Sequence, residues 1–234
     1  MLTYSKTGNI KDEIIMDNKY LLKEPTPYQL GIVFSLYRFQ SKENRVIFTH
    51  SDRYFLEQIK NLFIGNIEKY TVKSSMSVRY RLITRPCKIL AKYFEKDELL
   101  EENLTTLPKL KDYHDFLRAY IEVNGILYFK YYYKERNNYY EFKHRIRLTA
   151  NENILKQIRE KLMIDIGINI NPARKIHKTS TGMALMISKI DTLKKIYNAY
   201  KDDEEKYKNF WNTFSEYLNM EHEKEKYINV NGKR

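Results

Sequence analysis

The chain has 234 residues and carries 42 Lys and Arg against 30 Asp and Glu, a formal net charge of +12. This excess favours a polyanion as the partner, although a solubilising surface would explain it equally well. The single cysteine, Cys87, excludes an internal disulfide and fits a reducing compartment. No apolar run approaches the ~20 residues that span a bilayer, and the polar start lacks a signal-peptide core. We therefore expect a cytoplasmic protein without membrane contact.

Helical and strand patterns alternate through the first half of the chain. The apolar stretch Tyr28–Phe39 predicts a helix that begins at Pro27. Gly31 and Ser35 lie one turn apart on it and are small enough for another helix to approach. A glycine inside a helix costs about 1 kcal/mol, so close packing is the natural reason for it. The elements predicted next are a strand over Arg45–Thr49, a helix from Ser51, strands over Lys69–Lys73 and Val78–Ile83, and a helix from Thr84.

The same order of elements returns in the second half. A short helix with small Ala119 at its middle comes first, and the letters Phe48-Thr49 then Gln58-Ile59-Lys60 reappear about one hundred residues later as Leu148-Thr149 then Gln157-Ile158-Arg159. The further elements predicted are strands over Ile126–Lys134 and Tyr140–Leu148, a helix opened by the capping-box pattern of Thr149–Glu152, strands near Lys175–His177 and Met183–Ile187, and a helix from Ser188.

This order predicts five segments. They are an N-terminal extension (1–25), a first repeat (26–98), a linker (99–111), a second repeat (112–200), and a C-terminal helix with its tail (201–234). The C-terminal helix carries an apolar stripe over residues 203–222, and such a stripe is usually core and otherwise a partner surface. Its members are Tyr207, Phe210, Trp211, Phe214, Tyr217 and Leu218.

Residues 116–125 read Phe-Leu-Arg-Ala-Tyr-Ile-Glu-Val-Asn-Gly. This resembles the motif of the LAGLIDADG homing endonucleases, whose usual form is close to Phe-Leu-Arg-Gly-Tyr-Phe-Asp-Ala-Asp-Gly. With the repeated order of elements, the resemblance covers about residues 26–200 and is to the monomeric, two-repeat form. It implies an α+β fold of two pseudo-symmetric αββαββα repeats, with the motif helices packed at the centre and two antiparallel sheets forming a saddle on DNA. It also implies a monomer with an internal pseudo-twofold axis.

The resemblance further implies a degenerate active site. In that family each motif helix normally delivers one carboxylate, and the pair holds divalent metal for cleavage of both strands. The corresponding residue of the second motif is Asn124, and aligning Gly31 with Ala119 puts Leu36 in that place in the first. A neutral amide is a poor magnesium ligand and leucine is none. Glu122 matches the family's other acidic position, which is ordinarily not the metal ligand. We therefore expect no catalytic residue, no bound metal and no cofactor.

The strands carry the positive signal for nucleic acid. Their alternation places Lys and Arg on outer faces that are nearly single-signed, with tyrosines among the cations. In the first half this assigns Lys69 and Lys73 to the same face as Arg79 and Arg81. Cations can contact phosphates or guanine edges, and a two-stranded ribbon fits the major groove. The predicted DNA-binding residues are Arg79, Arg81, Lys143, Arg145 and Arg147 as the main contacts, and Arg38, Lys69, Lys73, Lys130 and Lys134 at the flanks.

The preferred hypothesis is a non-catalytic protein that binds double-stranded DNA on a LAGLIDADG-like scaffold. The family's usual setting suggests a regulator of transcription or an accessory factor of a phage or mobile element. Three alternatives remain open. The first is an active homing endonuclease with atypical ligands such as Glu122. The second is an RNA-binding, maturase-like protein whose tyrosines stack on unpaired bases, and the third is a protein-interaction factor that uses the Trp211 helix.

Overall fold

The computed structural model describes residues 24–40, 43, 45–85, 90–93, 104–134, 139–170, 176–179, 182–201 and 209–219, of which 91, 129–134, 139–143 and 179 are described by their backbone alone. The chain divides into two compact units, residues 1–123 and 124–234. Within the described ranges no helix is long and apolar enough to cross a membrane. Each unit is best described by itself.

The first unit holds a four-stranded antiparallel sheet with strand order β1-β2-β4-β3. Its elements are α1 (Pro27–Leu36), β1 (Phe39–Gln40), β2 (Arg45–His50), α2 (Arg53–Lys60), β3 (Gly65–Val72), β4 (Ser77–Thr84), a 3₁₀ turn (Leu90–Lys92) and α3 (His114–Asn124), whose last residue belongs to the second unit.

Two sequence predictions for this unit are corrected. Helix α1 ends at Leu36, and Phe39, predicted to close the helix, instead begins β1 because the backbone is already extended at Tyr37, with φ −61° and ψ 128°. Thr84, predicted to open a helix, ends β4 and pairs with Val46 of β2. Of the helix predicted after it, the described residues contain the 3₁₀ turn, and the remainder lies outside them.

The second unit holds a sheet of the same topology, with order β5-β6-β8-β7. Its elements are β5 (Ile126–Lys134), β6 (Tyr139–Ala150), α4 (Glu152–Ile166), β7 (Ile176–Thr179), β8 (Gly182–Ile187) and α5 (Ile190–Tyr200), and residues 209–219 form a further helix, α6. The cap of α4 is Asn151, whose Oδ1 accepts the Ile154 N–H at 2.9 Å, whereas Thr149 of the predicted capping box belongs to β6. The α+β class and the repeated order of elements are confirmed.

The two motif helices of the first unit, α1 and the main part of α3, pack with their backbones in close approach. A Cβ built on Gly31 would lie 2.4 Å from the Phe116 carbonyl oxygen and 2.8 Å from the Ala119 Cβ, both closer than real Cβ contacts. The rings of Phe34 and Phe116 meet edge to face at 5.5 Å. The predicted role of Gly31 and Ala119 as small residues in one helix pair is therefore confirmed.

Helix α6 contributes to the core of the second unit. Trp211, Phe214, Tyr217 and Leu218 are buried. The rings of Trp211 and Phe214 lie 6.2 Å and 5.7 Å from the ring of Tyr197 on α5. The described part of the apolar stripe is thus covered from within the chain.

We expect Gly31→Ala to destabilise the protein. Helix propensity alone would make alanine stabilising by about 1 kcal/mol. The added methyl group, however, meets backbone at Phe116 and forces the helices apart, a form of overpacking that costs roughly 1–3 kcal/mol. The free energy of unfolding from urea denaturation measures the difference. A raised midpoint would show that α1 and α3 do not pack this closely.

Candidate nucleic-acid interface

The outer face of the first sheet is the face away from α2. Register places Arg81 beside Thr49 of β2 and places Arg79 opposite Tyr70 of β3, so these four side chains share one face. Helix α2 covers the other face, where the ring of Phe55 contacts that of His50 at 4.7 Å. The predicted placement of Arg79 and Arg81 on the outer face is confirmed.

The predicted face of β3 is wrong. Lys69 pairs with Tyr80 and therefore lies on the same face as His50, opposite to Arg79 and Arg81. Its place on the outer face is taken by Tyr70 and by Glu68. The Glu68 Oε2 accepts a hydrogen bond from the Arg81 Nε at 3.0 Å and forms an ion pair with the Arg81 Nη2 at 3.0 Å. This outer face is therefore mixed in charge. Lys73 lies in the turn after β3, where it is exposed.

An open depression of about 550 Å³ lies on this outer face. It brings Arg38, which directly precedes β1, together with Arg81 from β4. Sequence analysis named both cations but missed the polar residues around them. The full lining is Arg38, Phe39, Gln40, Ile47, Thr49, Tyr70 and Arg81. The alternation of β2 could have indicated Thr49, whereas Gln40 was hidden because β1 is only two residues long.

The second sheet carries its cations on β5 and β6 as predicted. Arg145 lies opposite Tyr128, and Arg147 lies opposite Ile126 on the same face. The backbone register adds Lys130 opposite Lys143, and Lys134 opposite Tyr139, to that face. It also places Glu141, opposite Tyr132, among them. The predicted common face is confirmed for Arg145 and Arg147, whereas Lys130, Lys134 and Lys143 are described by their backbone alone.

The two sheets share a local arrangement of two arginines and a tyrosine. The Arg81 guanidinium lies 5.4 Å from the centre of the Tyr70 ring, and that of Arg147 lies 5.8 Å from the centre of the Tyr128 ring. In each sheet the arginine two residues earlier on the same strand sits directly opposite the tyrosine. An arginine held over an aromatic face keeps its planar array of N–H donors ordered, which suits phosphate or guanine recognition.

The strand segment that carries Arg145 is supported by α6. The Arg145 backbone N–H donates to the Tyr217 hydroxyl at 2.7 Å. The ring of Tyr217 meets that of buried His144 edge-on at 4.6 Å. The ladder between β6 and β8 ends at Ile146, so Tyr217 satisfies a backbone donor at a free strand edge. Burial raises the pKa of Tyr217 to about 12.

Asn124, which the resemblance aligns with the acid of the second motif, completes a β-ladder with its side chain. Its Nδ2 donates to the Thr149 carbonyl at 2.9 Å, and its Oδ1 accepts the Thr149 N–H at 2.7 Å and the Thr149 hydroxyl at 3.2 Å. The register of β5 and β6 pairs Ile126 with Arg147, so continuing it by two residues places residue 124 opposite residue 149. The amide takes the place of a backbone pair where α3 turns into β5. Sequence analysis missed this role.

Glu122 is held inside the helix pair of the first unit. It is 6% exposed, and its Oε2 accepts a hydrogen bond from the Tyr28 hydroxyl on α1 at 2.8 Å. The Arg118 guanidinium lies 5.0 Å from the centre of the Tyr28 ring. Leu36, which the resemblance aligns with the acid of the first motif, is the last residue of α1. In the part of the chain that the structure describes, no three His, Cys, Asp or Glu side chains are grouped to share a metal ion.

Comparisons with known proteins agree on the fold. No protein-family model and no curated protein matches the sequence. The solved structure of the I-SmaMI LAGLIDADG homing endonuclease bound to cleaved DNA is similar, with a TM-score of 0.52 and 14% identity over 87% of this chain and 92% of that chain. The I-LtrWI LAGLIDADG homing endonuclease bound to target DNA is similar too, with a TM-score of 0.52 and 12% identity over 84% and 90%. The chain therefore has the fold of the LAGLIDADG homing endonucleases, as the resemblance of residues 116–125 implied.

Proposed function

We propose that this chain binds double-stranded DNA through the outer faces of its two sheets and does not cleave it. The observation that carries the proposal is the arginine-over-tyrosine arrangement, present on the outer face of both sheets. The fold supports it, since the similar I-SmaMI and I-LtrWI structures are bound to DNA. A role as a transcription regulator or as an accessory factor of a phage or mobile element belongs to the same proposal.

Three side chains support the absence of cleavage. Metal-dependent hydrolysis of a phosphodiester needs oxygen anions that hold the ion near the scissile phosphate. Asn124 is neutral and uses both ends of its amide on Thr149. Leu36 has no side-chain oxygen. Glu122 is buried and bonded to Tyr28, so it is a poor substitute ligand.

Two alternatives are weakened by specific contacts. Stacking on unpaired RNA bases requires open aromatic faces. The rings of Tyr70 and Tyr128, however, already carry arginine guanidinium groups. A protein partner for the C-terminal helix requires a free apolar stripe, yet Trp211 and Phe214 are buried against α5. Duplex DNA is the partner that these faces fit best.

We expect the double variant Arg79→Glu and Arg147→Glu to lose duplex affinity, because it removes one cation from each outer face. Arg79 is exposed and Arg147 is half-exposed. The loss should exceed tenfold in a gel-shift titration. If both arginines contact phosphates, the magnitude of the slope of log affinity against log salt concentration should fall by about 2, since each phosphate contact contributes ~0.9 to it.

A matched control separates these contacts from net charge. Lys156 on α4 and Lys194 on α5 are exposed on helices outside the outer faces. The variant Lys156→Glu with Lys194→Glu changes the charge by the same amount and should retain most of the affinity. Equal losses in the two double variants would contradict the assignment of the outer faces.

We expect Asn124→Asp, which restores the acid usual in the motif, to destabilise the fold without producing a nuclease. A carboxylate cannot donate to the Thr149 carbonyl, and losing this hydrogen bond costs roughly 0.5–1.5 kcal/mol. Asn153→Asp, the same change at an exposed position in the first turn of α4, serves as the control for denaturation. Plasmid DNA with Mg²⁺ or Mn²⁺ should remain unnicked by the natural chain and by the variant. Specific nicks from the natural chain would overturn the non-catalytic assignment.

Selection of bound sequences tests the proposal as a whole. We expect the full chain to enrich a long motif from a pool of random duplexes, because each of the two sheets would read one part of the site. Structured RNA added as a competitor at several salt concentrations should displace little of the bound duplex. Preferential retention of the RNA would favour the maturase-like alternative, and no enrichment at all would favour a protein partner.

A further inference from the structure

The β3–β4 hairpin extends beyond the rest of its sheet. The ladder between β2 and β4 ends at His50 and Tyr80, while β3 and β4 continue to pair as far as Val72 and Ser77. The turn between them is formed by residues 73–76. The last pair of the ladder, Val72 and Ser77, lies ~10 Å beyond Tyr80, because three residues of strand extend about 3.3 Å each. Among the described strands, this segment is a two-stranded ribbon with a free tip.

The ribbon is cationic on both faces. Lys69 lies on the face of Tyr80, and Arg79 lies on the opposite face with Tyr70. Lys73 is in the turn, and all three cations are exposed. The sequence from Lys69 to Arg79 contains no Asp or Glu. Cations on both faces allow the end of the ribbon to meet phosphates on both sides when it enters a groove.

The tip presents an apolar side chain in a strained backbone conformation. Met76 has φ 53° and is 77% exposed. Hairpin turns commonly place a left-handed residue here, but glycine or asparagine usually occupies it, because other side chains make this conformation costly. Val78, two residues later, is 42% exposed. The chain thus retains an exposed methionine at a position where glycine would be more stable.

We propose that the β3–β4 hairpin enters the major groove of duplex DNA tip first and that Met76 contacts the methyl groups of thymine. The inference rests on the proposed function, which it deepens by naming a specificity-determining residue. The major groove is about 12 Å wide and admits a two-stranded ribbon, and its depth of about 8.5 Å is within the reach of this one. Lys69 and Arg79 then face the phosphates of the two groove walls. The thymine methyl group is the apolar feature of the base edges in this groove, and methionine fits it as a flexible, polarizable side chain.

Exchange of thymine for uracil tests this contact, because it deletes the methyl group and leaves base pairing unchanged. The probes are the duplexes recovered by the selection, synthesised with either base. We expect the natural chain to bind the thymine duplexes roughly fourfold more tightly, the factor that corresponds to one buried methyl group. Met76→Ala should bind both forms with equal affinity. The coupling between the protein change and the base change then reports the contact itself.

Two further variants serve as controls for this interpretation. Met76→Gly should also lose the preference for thymine while its melting temperature stays the same or rises, because glycine accepts φ 53° without strain. Ile164→Ala, at a similarly exposed apolar residue on α4 (78%), should keep the full preference. A preference that survives in Met76→Ala, or equal binding of both duplexes by the natural chain, would overturn the inference. If the natural chain retains no duplex at all, the proposed function itself fails.

Discussion

The close approach of two helix backbones determines much of the rest of this structure. Gly31 leaves room for the Phe116 carbonyl and the Ala119 Cβ at distances that a side chain would prohibit. This approach allows Tyr28 to reach Glu122 and the rings of Phe34 and Phe116 to meet. Each of the two helices then runs within a few residues into the first strand of a sheet, α1 into β1 and α3 into β5.

The end of α3 shows how one amide side chain joins a helix to a sheet. A carboxylate at position 124 could accept hydrogen bonds from Thr149 but could not donate to its carbonyl. The amide does both and extends the ladder of β5 and β6 by one pair. This stabilises the turn from helix to strand. The closed ladder at this point therefore depends on an amide side chain at position 124.

The proposed DNA-binding chemistry does not follow the internal repeat. By topology β3 and β4 of the first unit correspond to β7 and β8 of the second, yet the second arrangement of arginines and tyrosine lies on β5 and β6. The scaffold is thus duplicated, whereas the cationic sites are on different hairpins. Each site depends on a diagonal contact between neighbouring strands, which any hairpin with this alternation can form.

The sequence by itself determined the order of elements and the small-residue contact through its periodicities, and the resemblance of residues 116–125 indicated the class of fold. It also determined the common face of β5 and β6, where alternation runs through many residues. The face of β3 was decided only by its register with β4. Among the described residues neither face of that hairpin end is covered, so the hydrophobic pattern does not show which side chains point outward. The role of Asn124 and the support from Tyr217 were likewise decided by tertiary structure. Asn124 bonds to a backbone group 25 residues away in the chain, and Tyr217 bonds to one 72 residues away. The local sequence pattern carries no information about hydrogen-bond partners so far away in the chain.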